Sequence, residues 1–419
     1  MKNHDLGQRP ALLLIAAALL LVPSACGVKS GGGDADTDVD SDSDTDTDTD
    51  SDTRPLPKIT AGPYLLRPTA DSVEIWWETD GEYTPAVAWS EDESLDRRAT
   101  GETMTDDYSE AMWIAPPPGY RQRVILDGLQ PGQRYSYRIT SVEDPPAAAS
   151  LLPAPSASEP TRLIVFGDTR THDDLHTSVI TAMVAESPDA VVNTGDLMNS
   201  GENFDNWTGF FAIEAELLHS VPLFPVMGNH EVMLDGWLVF TTYFGVNPDS
   251  GSSLHYSFDH GPVHGIVLNS NGDFESNTEQ MTWLETDLQA VGQRAAAPAI
   301  LVFFHHPLYT FSNHDPELEA REVLVPLFEV HGVDAVFWGH NHCYERFDVN
   351  GVPYITAGGG GAPLNGVGDP EGDDAALYVT GESTLHYIRL DVEPSRLDAT
   401  VIRVPDGATI DSFSIESFD

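Results

Sequence analysis

Lysine is almost missing from this chain. Of 419 residues, 20 are Lys or Arg against 67 Asp or Glu, a formal charge of −47, and beyond Lys29 the only lysine is Lys58. Such a surface does not seek nucleic acid or anionic lipid through bulk electrostatics, so no nucleic-acid partner is expected. Cysteine is as scarce: Cys26 and Cys343 are the only two. A disulfide framework is excluded, and the folded part must rely on its cores. The apolar run at residues 11–22 is too short to span a bilayer comfortably. What is there is length, enough for two or three domains with substantial cores.

Lys2 and Arg9 precede that apolar run, and Ser24, Ala25 and Cys26 follow it. Residues 1–25 therefore have the layout of a secretory signal. A cysteine directly after small residues resembles the lipobox of bacterial lipoproteins. That resemblance implies lipid attachment at Cys26 and a place in the cell envelope, exported and anchored at the outer membrane or periplasmic face. The membrane would be met through that lipid only. Pro23 stands where the motif usually has an aliphatic residue, and ordinary cleavage with free secretion is the alternative. Residues 26–57 follow as an acidic tether. Ten aspartates alternate with small residues over 34–53, and their mutual repulsion keeps such a stretch extended and without a core.

The first folded unit is expected over 58–146. Val73, Ile75 and Trp77 alternate with Glu74 and Trp76, the period of a half-buried strand, and Val87 with Trp89 and Val124 with Leu126 repeat it. The run from Leu129 to Tyr135, with Tyr137 after it, resembles the turn and tyrosine corner of a fibronectin type III-like β-sandwich. Residues 147–160, rich in Ala, Pro and Ser, read as a linker.

From 161 to 419 the texture becomes strand, loop, helix. Apolar runs at 162–166, 190–193, 223–226, 299–304 and 334–338 end in Asp168, Asp196, Asn229-His230, His305-His306 and His340-Asn341-His342. Residues 175–186 and 278–291 read as helices. Sites in α/β folds gather at the carboxyl ends of strands, and five strands here finish in metal-competent side chains. Carboxylates, an amide oxygen and imidazoles form the mixed set that two cations sharing an anionic bridge require. His230 stands beside a ligand without having to be one, and is placed to protonate a leaving oxygen.

These ordered blocks resemble those of calcineurin-like metallophosphoesterases, and His342-Cys343-Tyr344-Glu345-Arg346 with the preceding sandwich is similar to purple acid phosphatases. The resemblance implies an α/β (α+β) four-layer fold, two β-sheets flanked by helices. It implies two divalent or trivalent ions (Fe, Zn or Mn), with Asp196 bridging, Asp168 and His342 on the first, and Asn229, His305 and His340 on the second. It further implies a hydroxide bridging the metals as nucleophile. The substrate would be a phosphate-ester small molecule or a phosphorylated partner. A phosphomonoesterase is the leading reading. A phosphodiesterase, or an envelope binding protein with a degenerate metal site, is the alternative.

Two positions depart from the pattern. Many relatives have Asp-x-His in the first block where this chain has Asp168-Thr169-Arg170, and Asn199 stands where purple acid phosphatases carry the tyrosine responsible for their colour. The first metal keeps three evident ligands, with His172 or His176 as substitutes. Arg170 is a cation whose fork suits a phosphate oxygen. His314 resembles the extra substrate-facing histidine of acid phosphatases. His306 is expected to point away by strand alternation, and His219, His255, His260, His264, His331 and His386 to be structural. Tyr344 and Arg346 are expected to brace the histidine loop, and the glycines 358–361 to form a tight turn beside the site rather than an anion nest.

Overall fold

The computed structural model describes residues 55–416 and 418, apart from 106–107, 110, 249, 276–277 and 295–297. The signal segment, Cys26 and nearly all of the acidic tether lie outside the described residues. Among those described, no helix is long and apolar enough to cross a membrane.

Two four-stranded antiparallel sheets form the first unit. One has the order Ile59–Leu66, Val73–Thr79, Tyr120–Leu126, Glu102–Thr103, and the other Arg97–Thr100, Ala86–Ser90, Tyr135–Thr140, Ala149–Leu151. Val73, Ile75, Trp77, Val87, Val124 and Tyr137 fill the space between them. At the expected corner, the Gln130 N–H donates to the Tyr135 hydroxyl at 2.9 Å.

Two expectations need correction. Residues 149–151, read as linker, pair with the strand at Tyr135–Thr140, and Leu151 is fully buried in the sandwich core. The strand at Val73–Thr79 is not half-buried but buried along its whole length. Its second face, carrying Trp76, meets the following domain, where Trp76 and Tyr64 cluster with Phe211, Tyr243 and Phe244. The Tyr64 hydroxyl donates to the Tyr243 carbonyl at 2.7 Å and the Tyr137 hydroxyl to the His219 carbonyl at 2.8 Å. A period-two pattern reports one apolar face, and here both faces are covered.

The remainder is built in four layers. A six-stranded sheet (Leu223–Pro225, Ala190–Asn193, Thr161–Phe166, His386–Glu393, Arg396–Arg403, Thr409–Glu416) faces a seven-stranded one (Tyr256–His260, Val263–Val267, Ala299–Phe303, Ala335–Trp338, Val352–Ala357, Tyr344–Val349, Tyr378–Glu382). Alternation divides the strands cleanly. Leu163, Val165, Leu301, Phe303 and Phe337 fill the space between the sheets. Ile164 and Phe166 turn outward to the helices Asp173–Ala185 and Phe204–Leu218, and Val302, Val336 and Trp338 to Glu279–Val291 and Leu318–Val330. Thr161–Phe166, Ala190–Asn193 and Leu223–Pro225 run parallel, as do Val263–Val267, Ala299–Phe303, Ala335–Trp338 and Val352–Ala357. Their carboxyl ends carry the loops that make the site.

Candidate metal centre

The site loops turn abruptly where the strands stop. Asp168, Asp196 and His340 hold φ of 58°, 54° and 67°, a region uncommon for residues other than glycine and concentrated at functional sites. Gly228 permits a close approach: a Cβ there would lie 2.3 Å from both the backbone nitrogen and Oδ1 of Asp196. Glu231 locks these turns together. Buried completely, its carboxylate accepts the backbone N–H of Gly228 at 2.8 Å and of Asp196 at 3.0 Å. Burial, and Asp196 after it, push this carboxyl up to about 8.

Two groups of donor atoms result. Asp168, Asp196 and His342 converge in one, and His305, His306 and His340 in the other. Asn229 joins the second, its Oδ1 2.9 Å from His340 Nδ1 and 3.1 Å from His305 Nε2. Asp196 serves both groups. Its Oδ1 lies 3.3 Å from His305 Nε2, and its Oδ2 accepts from Arg170 Nε at 3.2 Å.

The protonation of these rings is fixed by their other partners. His305 Nδ1 donates to the Thr194 carbonyl at 2.9 Å, and His342 Nδ1 to the Pro363 carbonyl at 2.6 Å. A carbonyl only accepts, so each neutral ring turns a bare Nε2 lone pair inward. Burial holds His305, His342 and His340 below the usual imidazole range, His340 at about 2. His305 Nε2 therefore faces Asn229 Oδ1 and Asp196 Oδ1 as acceptor against acceptors, and His342 Nε2 faces Asp168 Oδ1 at 3.5 Å in the same way. Burial, then the Asp196 charge, push Asp168 well above the usual carboxylate range. Buried acceptors crowded together are costly without a positive charge among them. Two cations fit what these residues present. Asn229, His305 and His340 would hold one, Asp168 and His342 the other, with Asp196 between.

Residues 161–344 match the family model described as calcineurin-like phosphoesterase, and residues 64–151 that described as purple acid phosphatase, N-terminal domain. The chain carries a calcineurin-like phosphoesterase domain. Purple acid phosphatase 23 of Arabidopsis thaliana is 30% identical to it over 292 residues, 58% of this chain and 63% of that protein. The probable inactive purple acid phosphatase 9 of the same plant is 23% identical over 369 residues, 71% of this chain and 56% of the relative. The chain thus spans less than two thirds of the length of such relatives. Among solved structures, a purple acid phosphatase from yellow lupin seeds superposes with a TM-score of 0.74 over 84% of this chain and 74% of that one, at 22% identity. PhoD does so with 0.63 over 87% and 91%, at 14%. At these identities the likeness is one of fold.

Within the phosphoesterase domain, His230 lies at the rim of the centre. Its Nδ1 donates to the Asn199 carbonyl at 2.7 Å, which leaves Nε2 facing the centre, 3.7 Å from Asp196 Oδ2. Arg170 reaches across the first group, with Nη2 3.3 Å from His342 Nε2. The ring of His314 is exposed and lies 4.2 Å from that of His340. Asn341, buried between the two histidines, holds the His314 backbone by accepting its N–H at 3.0 Å and donating to its carbonyl at 3.3 Å.

Other expectations are corrected. His176 does not supply the missing ligand: it is buried in a pair with Glu214, Nε2 to Oε1 2.8 Å. His172, exposed ahead of the helix Asp173–Ala185, joins neither donor group. His306 does not point away. The strand ends at Phe303, so alternation no longer governs residue 306, whose ring sits 4.6 Å from that of His340. Tyr344 and Arg346 brace the two sheets rather than the histidine loop, both donating to Asp411, at 2.6 and 2.7 Å. Glu345 steadies the His314 loop instead, accepting from Thr310 Oγ1 at 2.6 Å and the Phe311 N–H at 2.8 Å. The glycines 358–361 form a bend rather than a hydrogen-bonded tight turn, with N–H groups partly spent on the Cys343 and Gly167 carbonyls. A cleft of about 320 Å³ opens beside Arg170, lined in part by Asp173, Asn199, Asp205 and Asn206.

Proposed function

We propose that this chain is a metal-dependent hydrolase of phosphate esters, with phosphomonoesters as its preferred class and two ions (Fe, Zn or Mn) as its cofactor. The observation that carries the reading is Asp196, which belongs to the buried group with Asp168 and His342 while its Oδ1 lies 3.3 Å from His305 of the second group. Two cations bound there supply the charge that draws in a phosphoryl group and the acidity that readies a water. The chain's own residues do the rest. Arg170, fixed by Asp196, offers the remaining edge of its guanidinium to a phosphoryl oxygen. His230, its Nδ1–H committed to the Asn199 carbonyl, can donate from Nε2 only as the imidazolium, and in that form delivers the Nε2 proton to the leaving oxygen. The leaving group takes the polar cleft beside Arg170. Metal-reconstituted protein should hydrolyse a monoester such as p-nitrophenyl phosphate faster than its diester analogue. Equal rates, or a faster diester, would reverse the preference. No turnover of either would favour the binding-protein reading, which gains from the place Arg170 takes at the first donor group.

The tyrosine corner supports a fibronectin III-like reading of the sandwich. The reading of Cys26 as a lipid anchor places the folded part at the cell envelope on an acidic tether. Full-length protein should then fractionate with membranes and Cys26→Ser should not; identical fractionation of the two would end the anchoring proposal.

A further inference from the structure

Four imidazoles around the centre make a hydrogen bond through Nδ1 to a group behind them, and one is wired in the opposite sense. His305, His342 and His230 donate from Nδ1 to the carbonyls of Thr194, Pro363 and Asn199, so their neutral forms present a bare Nε2. His306 Nδ1 instead meets the Ser270 hydroxyl at 2.8 Å. That hydroxyl oxygen already accepts the backbone N–H groups of His305 at 3.1 Å and His306 at 3.0 Å. A hydroxyl has two lone pairs and one proton. With both lone pairs occupied, only the proton is left for His306, and Ser270 donates to Nδ1. Neutral His306 must then carry its own proton on Nε2.

Among the described residues nothing accepts that Nε2–H, and the half-buried ring stands in the second donor group, 5.0 Å from the His305 ring and 4.6 Å from that of His340. We propose that His306 is not a metal ligand but a substrate-binding donor, its Nε2–H hydrogen-bonding a phosphoryl oxygen held beside His305 and His340. The assignment rests on the phosphate-ester reading above and adds a recognition residue to it. A neutral donor suits the position. An ammonium or guanidinium there would stand against a cation bound by its neighbours, whereas an imidazole N–H recognises the anion with no net charge. A phosphoryl group would thus be gripped by Arg170 at the first donor group and by His306 at the second.

The test uses inorganic phosphate as probe, metal content by elemental analysis, and nitrogen NMR of histidine-labelled protein. Metal-free protein should show His306 protonated at Nε2; a proton on Nδ1 overturns the assignment. His306→Ala should retain the parent's metal content and bind phosphate, by calorimetry, roughly ten- to a hundredfold more weakly, the range for a hydrogen bond to a charged group. His306→Gln, which keeps an N–H donor, should recover part of that loss. Loss of an ion from His306→Ala would make the residue a ligand, and unchanged phosphate affinity would make it a bystander; either sinks the proposal alone. If the parent protein binds neither cations nor phosphate, the hydrolase reading itself falls and takes this one with it.

Discussion

A single carboxylate divides the roles at this centre, because both oxygens of Asp196 are committed in different directions. Asp196→Asn should loosen both ions and leave little activity at any metal concentration, whereas His230→Ala should keep both. Losing a general acid costs about 10²- to 10⁴-fold in rate. The loss should shrink for esters with good leaving groups such as nitrophenolate, which need no proton. Equal slowing of activated and unactivated esters, or an ion lost from His230→Ala, would remove the acid role. Asn199 allows a second check. With no tyrosine at that position, the iron-loaded protein should lack a strong visible charge-transfer band, and a purple protein would refute the ligand set. At this scale the sequence was readable wherever a residue type has few uses: Asp168, Asp196, Asn229, His305, His340 and His342 come together as their positions at strand ends suggest. Residues that act by holding others were not readable. Glu231 and Asn341 each sit beside a histidine, and nothing in their neighbours tells that their side chains are buried and spent on backbone groups.

At the scale of elements, the same contrast separates strands from their surroundings. Apolar runs ending in Gly-Asp or Gly-His located the strands Thr161–Phe166 and Ala190–Asn193 to within a residue, because a buried parallel strand has to be apolar throughout. The helix Phe204–Leu218 went unread, although Asn203 caps it by accepting the Asp205 N–H. Trp207, Phe210, Phe211, Leu217 and Leu218 do recur on one helical face, but the charged Glu214 is buried among them and interrupts the stripe. That face meets both the six-stranded sheet and the sandwich. Trp76 is the other side of that contact. It is fully buried between the sandwich and the phosphoesterase domain, and Trp76→Ala should cost about 3 to 5 kcal/mol, as for other buried Trp truncations. Calorimetry would show whether the two parts, which unfold together in the parent by this argument, separate into two transitions in the variant. An unchanged single transition at the parent temperature would mean that the contact carries little energy.

For the molecule as a whole, acid tolerance turns on histidines outside the two donor groups. His260 and His386 are buried with Nε2 unpartnered, and burial holds them at about 3 and about 4, below the ordinary value of 6.5. In the window between those values the unfolded chain binds protons that the folded one does not, so their contribution to stability is lost as pH falls from about 6.5 toward 4. Buried carboxyls such as Glu214, held above their usual range, act in the opposite sense in the lower part of that window. The readout is therefore a difference: His386→Gln should flatten the fall of melting temperature on acidification, and a parallel curve would count against the assignment. One brace sets a condition of another kind. Asp411, on the strand Thr409–Glu416, is what Tyr344 and Arg346 grip just after the histidine pair. A ribosome has placed His342, the last donor of the centre, some seventy residues before it adds Asp411. The tie between the two sheets thus closes last in synthesis, and their joining at this point belongs after translation of the chain rather than during it.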